Sequence, residues 1–146
     1  MVCFSLYAAS RATTQTYRRL LAPWGLTYPQ YLVLVELWDL GPRTVRELGD
    51  DLALDSGTLS PLLRRMADAG LVVRSRDRSD GRVVSVRLTD RGEGLREELA
   101  GVPQEFGRCL GLTLDDARQL LDVLRRLTGT AQASNLTDAA PLAASA

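Results

Sequence analysis

Apolar residues recur at helical spacing in several separated stretches, and the polar residues between them read as caps and turns. From Cys3 to Ala22, Phe4, Tyr7, Ala8, Tyr17, Leu20 and Leu21 fall near a 3.6-residue period, and Pro23-Trp24-Gly25 ends the run. Thr27-Tyr28-Pro29-Gln30 has the form of a capping box with an early proline. It predicts a second helix from about Pro29 to Leu40, stopped by Gly41-Pro42. Thr44, with Glu47 three residues on, caps a short third helix that turns Val45, Leu48 and Leu52 inward. Asp55 is the expected cap of the next helix, Ser56 to Ala69, with Leu59, Leu62, Leu63 and Met66 as its stripe and Gly70 as its stop. Pro61 lies inside that segment, so either the helix kinks there or its regular part begins at Ser60.

Two β segments follow, at 71–76 and 83–88, with Asp80-Gly81 between them as a hairpin signal. Thr89-Asp90 opens a helix to about Gly101, and Pro103 starts a short one through Leu110. Thr113 caps a last helix to Leu127, whose Ala117, Leu120, Leu121, Leu124 and Leu127 share one face. From Gly129 the Ala-, Ser- and Thr-rich composition predicts a flexible tail. The order helix, turn, helix, β-hairpin is that of a winged helix-turn-helix, a mainly α fold with a small β-hairpin wing.

Composition narrows the functions available. A chain of 146 residues suits one domain. No apolar run approaches the ~20 residues needed to span a bilayer, and no basic region precedes an apolar stretch at the start. A cytoplasmic location without membrane attachment is expected. Histidine is absent, which removes histidine general bases, Ser-His and Cys-His dyads and most zinc sites. Two cysteines, Cys3 and Cys109, are too few for a disulfide scaffold or a four-thiolate centre. No metal, no cofactor and no enzymatic activity are expected.

Net charge is zero, but all 18 basic residues are arginine and they are unevenly placed. Arg64, Arg65, Arg74, Arg76, Arg78, Arg82, Arg87 and Arg91 face only Asp68, Asp77, Asp80 and Asp90 over the same stretch. A neutral protein with one such basic stretch can bind nucleic acid there. Ser56, Thr58 and Ser60, at the start of the helix after Asp55, are placed to meet base edges or phosphates in a major groove. Arg64 and Arg65 lie off the apolar face and suit phosphates. The hairpin tip, Arg78 to Arg82, would carry an arginine toward a minor groove. The plainer reading of each arginine alone is a solvated face.

The stretch Leu54-Asp55-Ser56-Gly57-Thr58-Leu59-Ser60-Pro61-Leu62-Leu63-Arg64-Arg65-Met66, followed by Gly70-Leu71-Val72, resembles the recognition region of the MarR family. Residues 77–82 and 86–92 resemble its wing and the joint after it, and the likeness covers nearly all of 3–128. The resemblance implies that Arg82 enters the minor groove and that Asp80 helps to hold the wing tip. It also implies one domain over 1–128, with a DNA-binding lobe at about 29–91 and a helical dimerisation lobe at about 1–28 plus 92–128. The remaining residues, 129–146, would form the tail. The implied partners are a homodimer mate and a pseudo-palindromic double-stranded operator with half-sites ~10 bp apart.

Within that family, residues 3–11 and 25–31 are similar to the organic-hydroperoxide-sensing branch (OhrR), which implies a peroxide-sensing role for Cys3. Local chemistry agrees. A reactive cysteine works as thiolate, which positive potential favours, and Cys3 sits near a helix N-terminus. The first acid in the chain is Glu36, after Arg11, Arg18 and Arg19. Tyr7 is one turn from Cys3, whereas Tyr17 lies 14 residues on, ~21 Å along a continuous helix. The resemblance implies that Tyr7 and Tyr17 of the partner hydrogen-bond the sensing thiol. Interface packing is the alternative role for both. Residues 102–112 resemble the stretch holding the second cysteine of two-cysteine members, which makes Cys109 the resolving thiol. Its alternative role is that of a small buried hydrophobe. Family members usually carry a longer segment before the sensing cysteine, so missing residues here would loosen the first turn and expose the thiol.

Three functions are compatible with these features. The first is a dimeric repressor released from its operator when organic hydroperoxide oxidises Cys3. The second keeps the repressor but switches it with a small aromatic ligand, with Cys3 incidental. The third is a thiol peroxidase using Cys3 and Cys109, which leaves the basic wing unexplained.

Overall fold

A computed structural model describes residues 1–76 and 83–137, the stretch 130–137 by backbone alone. The chain divides into two compact units, Met1–Phe106 and Gly107–Ala146. In the first, helix α1 (Val2–Leu20) leads through a 3-10 turn (Ala22–Trp24) to α2 (Tyr28–Leu40). A short strand β1 (Arg43–Thr44), α3 (Val45–Leu52), α4 (Ser56–Asp68), strands β2 (Val72–Arg76) and β3 (Val84–Leu88), and α5 (Asp90–Glu98) follow. Helix α6 (Val102–Leu110) crosses from the first unit into the second, which holds α7 (Leu114–Thr137).

Local chemistry explains where these helices begin. Thr27 accepts from the Gln30 amide while the Gln30 side chain accepts from the Thr27 amide, and Thr44 and Glu47 repeat this reciprocal cap at α3. Each such box satisfies two amides that a helix start leaves without a partner. Between α3 and α4 the chain turns on Ala53, a non-glycine residue at φ 51°. The left-handed conformation costs an alanine about 1–2 kcal/mol, offset by the amide bond it makes to Asp50.

The sheet is antiparallel in the order β1-β3-β2, with Val72 opposite Leu88 and Arg76 opposite Val84. Leu48 from α3, Leu59, Leu63 and Met66 from α4, Val86 from β3, and Leu34 from α2 are fully enclosed around one core. That core fixes α4 against the sheet by its apolar stripe and leaves its opposite face outside. Burying a leucine side chain contributes about 1.5–3 kcal/mol.

Several expected boundaries move. Helix α4 is regular from Ser56 and runs through Pro61, so its start is not delayed to Ser60. The amide that Pro61 lacks would have reached the Gly57 carbonyl, which lies on an exposed first turn where water can replace it. Strand β1 was not expected. Its two residues are held by pairing with Val86 and Ser85 of β3 rather than by any pattern of their own. Helix α5 ends at Glu98 instead of Gly101, and α7 continues ten residues beyond Leu127 to Thr137.

Candidate functional site

The first turn of α4 is organised by Asp55. Its Oδ1 accepts the Thr58 amide at 2.9 Å and its Oδ2 accepts the Thr58 hydroxyl at 2.8 Å. These bonds hold the Asp55 carboxyl below its ordinary pKa. Ser56 and Thr58 are exposed and Ser60 is half-buried. Arg64 and Arg65 are exposed on the side of α4 away from its buried leucines. The predicted polar and cationic positions of α4 therefore share the helix surface that the core does not use.

A cleft of about 730 Å³ lies beside that turn, lined by Arg46, Ser56, Ser60, Arg74 and Val84 among others. Arg74 belongs to the basic stretch read from the sequence, and Arg46 extends the cationic edge beyond the residues singled out there. Arg46 was hidden by its place on the supporting helix, four residues before Asp50, where it reads as a surface pair. That pair is loose at 3.9 Å with both side chains mostly in solvent, so it contributes little. The tip residues Arg78, Asp80 and Arg82 lie outside the described residues.

The base of the wing is braced on two sides. Arg43 of β1 joins Asp51 at 2.5 Å and Glu47 at 3.7 Å, tying the edge strand to α3. Glu36 is pushed above its ordinary pKa by burial and by a hydrogen bond with Asp51. On the other side, Thr89 donates its hydroxyl to the Gly70 carbonyl at 2.6 Å and its amide to the Leu71 carbonyl at 3.1 Å. Arg91 donates to the Ala69 carbonyl at 3.0 Å. The carbonyls at the end of α4 are thus held by the start of α5.

Cys3 lies in the first turn of α1 and is exposed. Tyr7, one turn on, is exposed too, and its hydroxyl accepts from Arg11 at 3.3 Å. Tyr17 is placed differently. Its ring stacks on Tyr28 (centroids 4.2 Å) and on Phe106 (4.3 Å), with Tyr31 tilted against it at 5.6 Å. Burial, with the neighbouring phenols, pushes its hydroxyl up to about 12. Helix α1 is continuous, so Tyr7 shares the Cys3 end of it while Tyr17 packs toward α2, ~21 Å away along the axis. The sequence signalled Tyr17 by spacing but not its packing partners, because Phe106 lies far along the chain. Cys109 is exposed on α6 and is not a buried hydrophobe in the single chain.

Among the described residues no group of acids and cysteines is arranged to hold a metal. No described helix is long and apolar enough to cross a membrane. Large apolar side chains are exposed on α1 (Phe4, Leu6, Tyr7) and on α7 (Leu114, Leu120, Leu121, Leu127).

Residues 26–84 match the profile described as MarR family. The chain is 51% identical over 123 residues to the HTH-type transcriptional regulator TtmR of Methylorubrum extorquens, covering 84% of this chain and 63% of that protein. It thus spans less than two thirds of the length of that relative. It is 42% identical to the organic hydroperoxide resistance transcriptional regulator of Bacillus subtilis, covering 92% of this chain and 91% of that one. Among solved structures it resembles AbfR of Staphylococcus epidermidis, described in reduced and overoxidised forms bound to DNA and in a disulfide form. The reduced form bound to DNA is 36% identical, with a TM-score of 0.75 over 88% of this chain and 90% of that one.

Proposed function

The chain belongs to the MarR family, and on that premise we propose that it is a dimeric transcriptional repressor whose hold on operator DNA ends when organic hydroperoxide oxidises Cys3. The observation that carries the redox part is the exposed thiol of Cys3 in the first turn of a long helix that contains no acid. The likeness to the hydroperoxide regulator of Bacillus subtilis and to AbfR supports it.

The chemistry balances with groups the chain carries. The Cys3 thiolate attacks the peroxide oxygen, the O–O bond breaks, and the peroxide leaves as an alcohol. Cys3 becomes a sulfenic acid. The Cys109 thiol of the second subunit then attacks that sulfur, forms a disulfide and releases water. A dithiol reductant reverses the link. The Tyr7 and Tyr17 hydroxyls of the partner are the proposed hydrogen-bond donors to the Cys3 sulfur. A phenol is protonated at neutral pH and can donate, and burial holds Tyr17 further in that form.

The DNA-reading lobe in this proposal spans about 29–91. Ser56, Thr58 and Ser60 face base edges, Arg64 and Arg65 meet phosphates, and Arg78, Asp80 and Arg82 form the minor-groove tip. The dimerisation lobe is built from about 1–28 and 92–128. Its support is that α1 and α7 each expose large apolar side chains, which mark association surfaces when they cluster. A repressor of this kind works in the cytoplasm.

A gel shift on the operator, with and without peroxide and dithiothreitol, tests the proposal when paired with non-reducing electrophoresis. Loss of the shift together with a covalent dimer, both reversed by dithiothreitol, is expected. Retained binding after complete oxidation of Cys3 contradicts it.

A further inference from the structure

We propose that Asp55 makes Thr58 a residue without a free proton at the DNA face, so that the recognition helix selects against guanine at one step of each half-site. This rests on the DNA-binding reading above and refines it to a base preference.

A threonine hydroxyl has one proton and two lone pairs. Here the proton is spent on Asp55 Oδ2 at 2.8 Å, while the adjacent amide binds Oδ1 at 2.9 Å. The carboxylate grips the residue at two points and fixes its side chain. An O–H to carboxylate bond is about twice as strong as one between neutral partners. A neutral base acceptor therefore competes poorly for that proton. Both residues are exposed in the first helical turn, where α4 would enter a groove.

What Thr58 has left to offer is a lone pair and a methyl group. In the major groove, guanine presents only acceptors, at N7 and O6. An acceptor facing acceptors gains nothing and loses the water it displaces. Adenine and cytosine each present an amino donor, and thymine presents a methyl. The pair therefore admits three bases and disfavours the fourth, with Asp55 acting as a positioning residue rather than touching the base.

The test is enrichment from a duplex library randomised over one half-site, using the full chain as wild type, Asp55→Asn, Thr58→Val and the double variant. Asparagine keeps an oxygen for the Thr58 amide, but its nitrogen cannot accept the hydroxyl. Wild type is expected to reject guanine by about tenfold or more at one step, the scale of a single mismatch. Asp55→Asn should bring guanine within roughly threefold of the best base at that step alone. Thr58→Val should keep the rejection, and adding Asp55→Asn to it should change no base preference.

Loss of a negative charge will raise affinity for every sequence, so only a base-selective change counts. Two results overturn the idea: the same base preferences in wild type and Asp55→Asn, or the same relaxation in the Thr58→Val background. A wild type that enriches no sequence contradicts the DNA-binding reading itself. If Asp55→Asn does not fold, Asp55→Ser, which also caps the helix, takes its place with the same expectations.

Discussion

The indole Nε1–H of Trp38 donates to the carbonyl oxygen of Gly92 at 3.0 Å, joining α2 to α5 across 54 positions of sequence. Gly92 is buried, and a Cβ placed there would collide with the Leu71 carbonyl oxygen at the entry to β2. One residue therefore accepts from α2 and presses on the wing. Tyr31, which touches Tyr17, also packs edge-on against Trp38. The aromatic cluster near α1 and the joint under the wing are consequently in contact through one indole.

Gly92→Ala is expected to destabilise the fold by about 1–3 kcal/mol, because backbone rather than a flexible side chain must move. Trp38→Phe removes the indole donor to the Gly92 carbonyl, which keeps its partner within α5, and should cost about 0.5–1.5 kcal/mol. Urea unfolding followed by circular dichroism measures both. No change in midpoint for Gly92→Ala would contradict the close approach.

Tyr17 sets an alkaline limit. Its phenol is raised from 10.0 to about 12 in the folded chain, chiefly by burial. A raised pKa means that the folded state prefers the neutral form, so this contribution is whole below pH 10. It is lost as pH rises from about 10 through 12. Tyr28 and Tyr31 are shifted the same way. Thermal melts across that window should fall less steeply for Tyr17→Phe than for wild type. Equal slopes would show that the phenol is no less hydrated folded than unfolded.

The sequence revealed the parts of the fold that local chemistry decides. The boxes at Thr27 and Thr44, the Asp55 cap and the α4 stripe are set within a few residues, and each is found where its pattern put it. What escaped depends on distant partners. β1 exists because β3 is there to pair with it, and Tyr17 is stacked because Phe106 returns to it. Arg43, an ordinary arginine by composition, becomes a brace only when α3 brings Asp51 to it. The candidate residues of α4 were legible because polar and apolar positions alternate around that helix. The wing-tip residues Arg78, Asp80 and Arg82 lie outside the described residues, so their placement rests on the sequence alone.

Arg64 and Arg65 are exposed and off the core. As phosphate contacts, each replaced by glutamine should lower the slope of log affinity against log salt by about 1, with little change in sequence preference. Arg118→Gln, whose side chain is paired with Asp115 at the start of α7, is the comparison. Fluorescence anisotropy at several salt concentrations reads the slope. An unchanged slope for both α4 variants would remove them from the interface.

Cys109→Ser should still lose operator binding on peroxide treatment but yield no covalent dimer, and its Cys3 should proceed to irreversible acids under excess oxidant. Intact-mass measurement distinguishes these products. A covalent dimer in Cys109→Ser would assign the second sulfur elsewhere.

If one sulfur controls the grip on DNA, it will show in the operator affinity of wild type and Cys3→Ser before and after cumene hydroperoxide. Both reduced proteins should bind tightly, peroxide should release wild type, and Cys3→Ser should keep the complex. Equal release of the two proteins would contradict it and favour a switch that does not use Cys3.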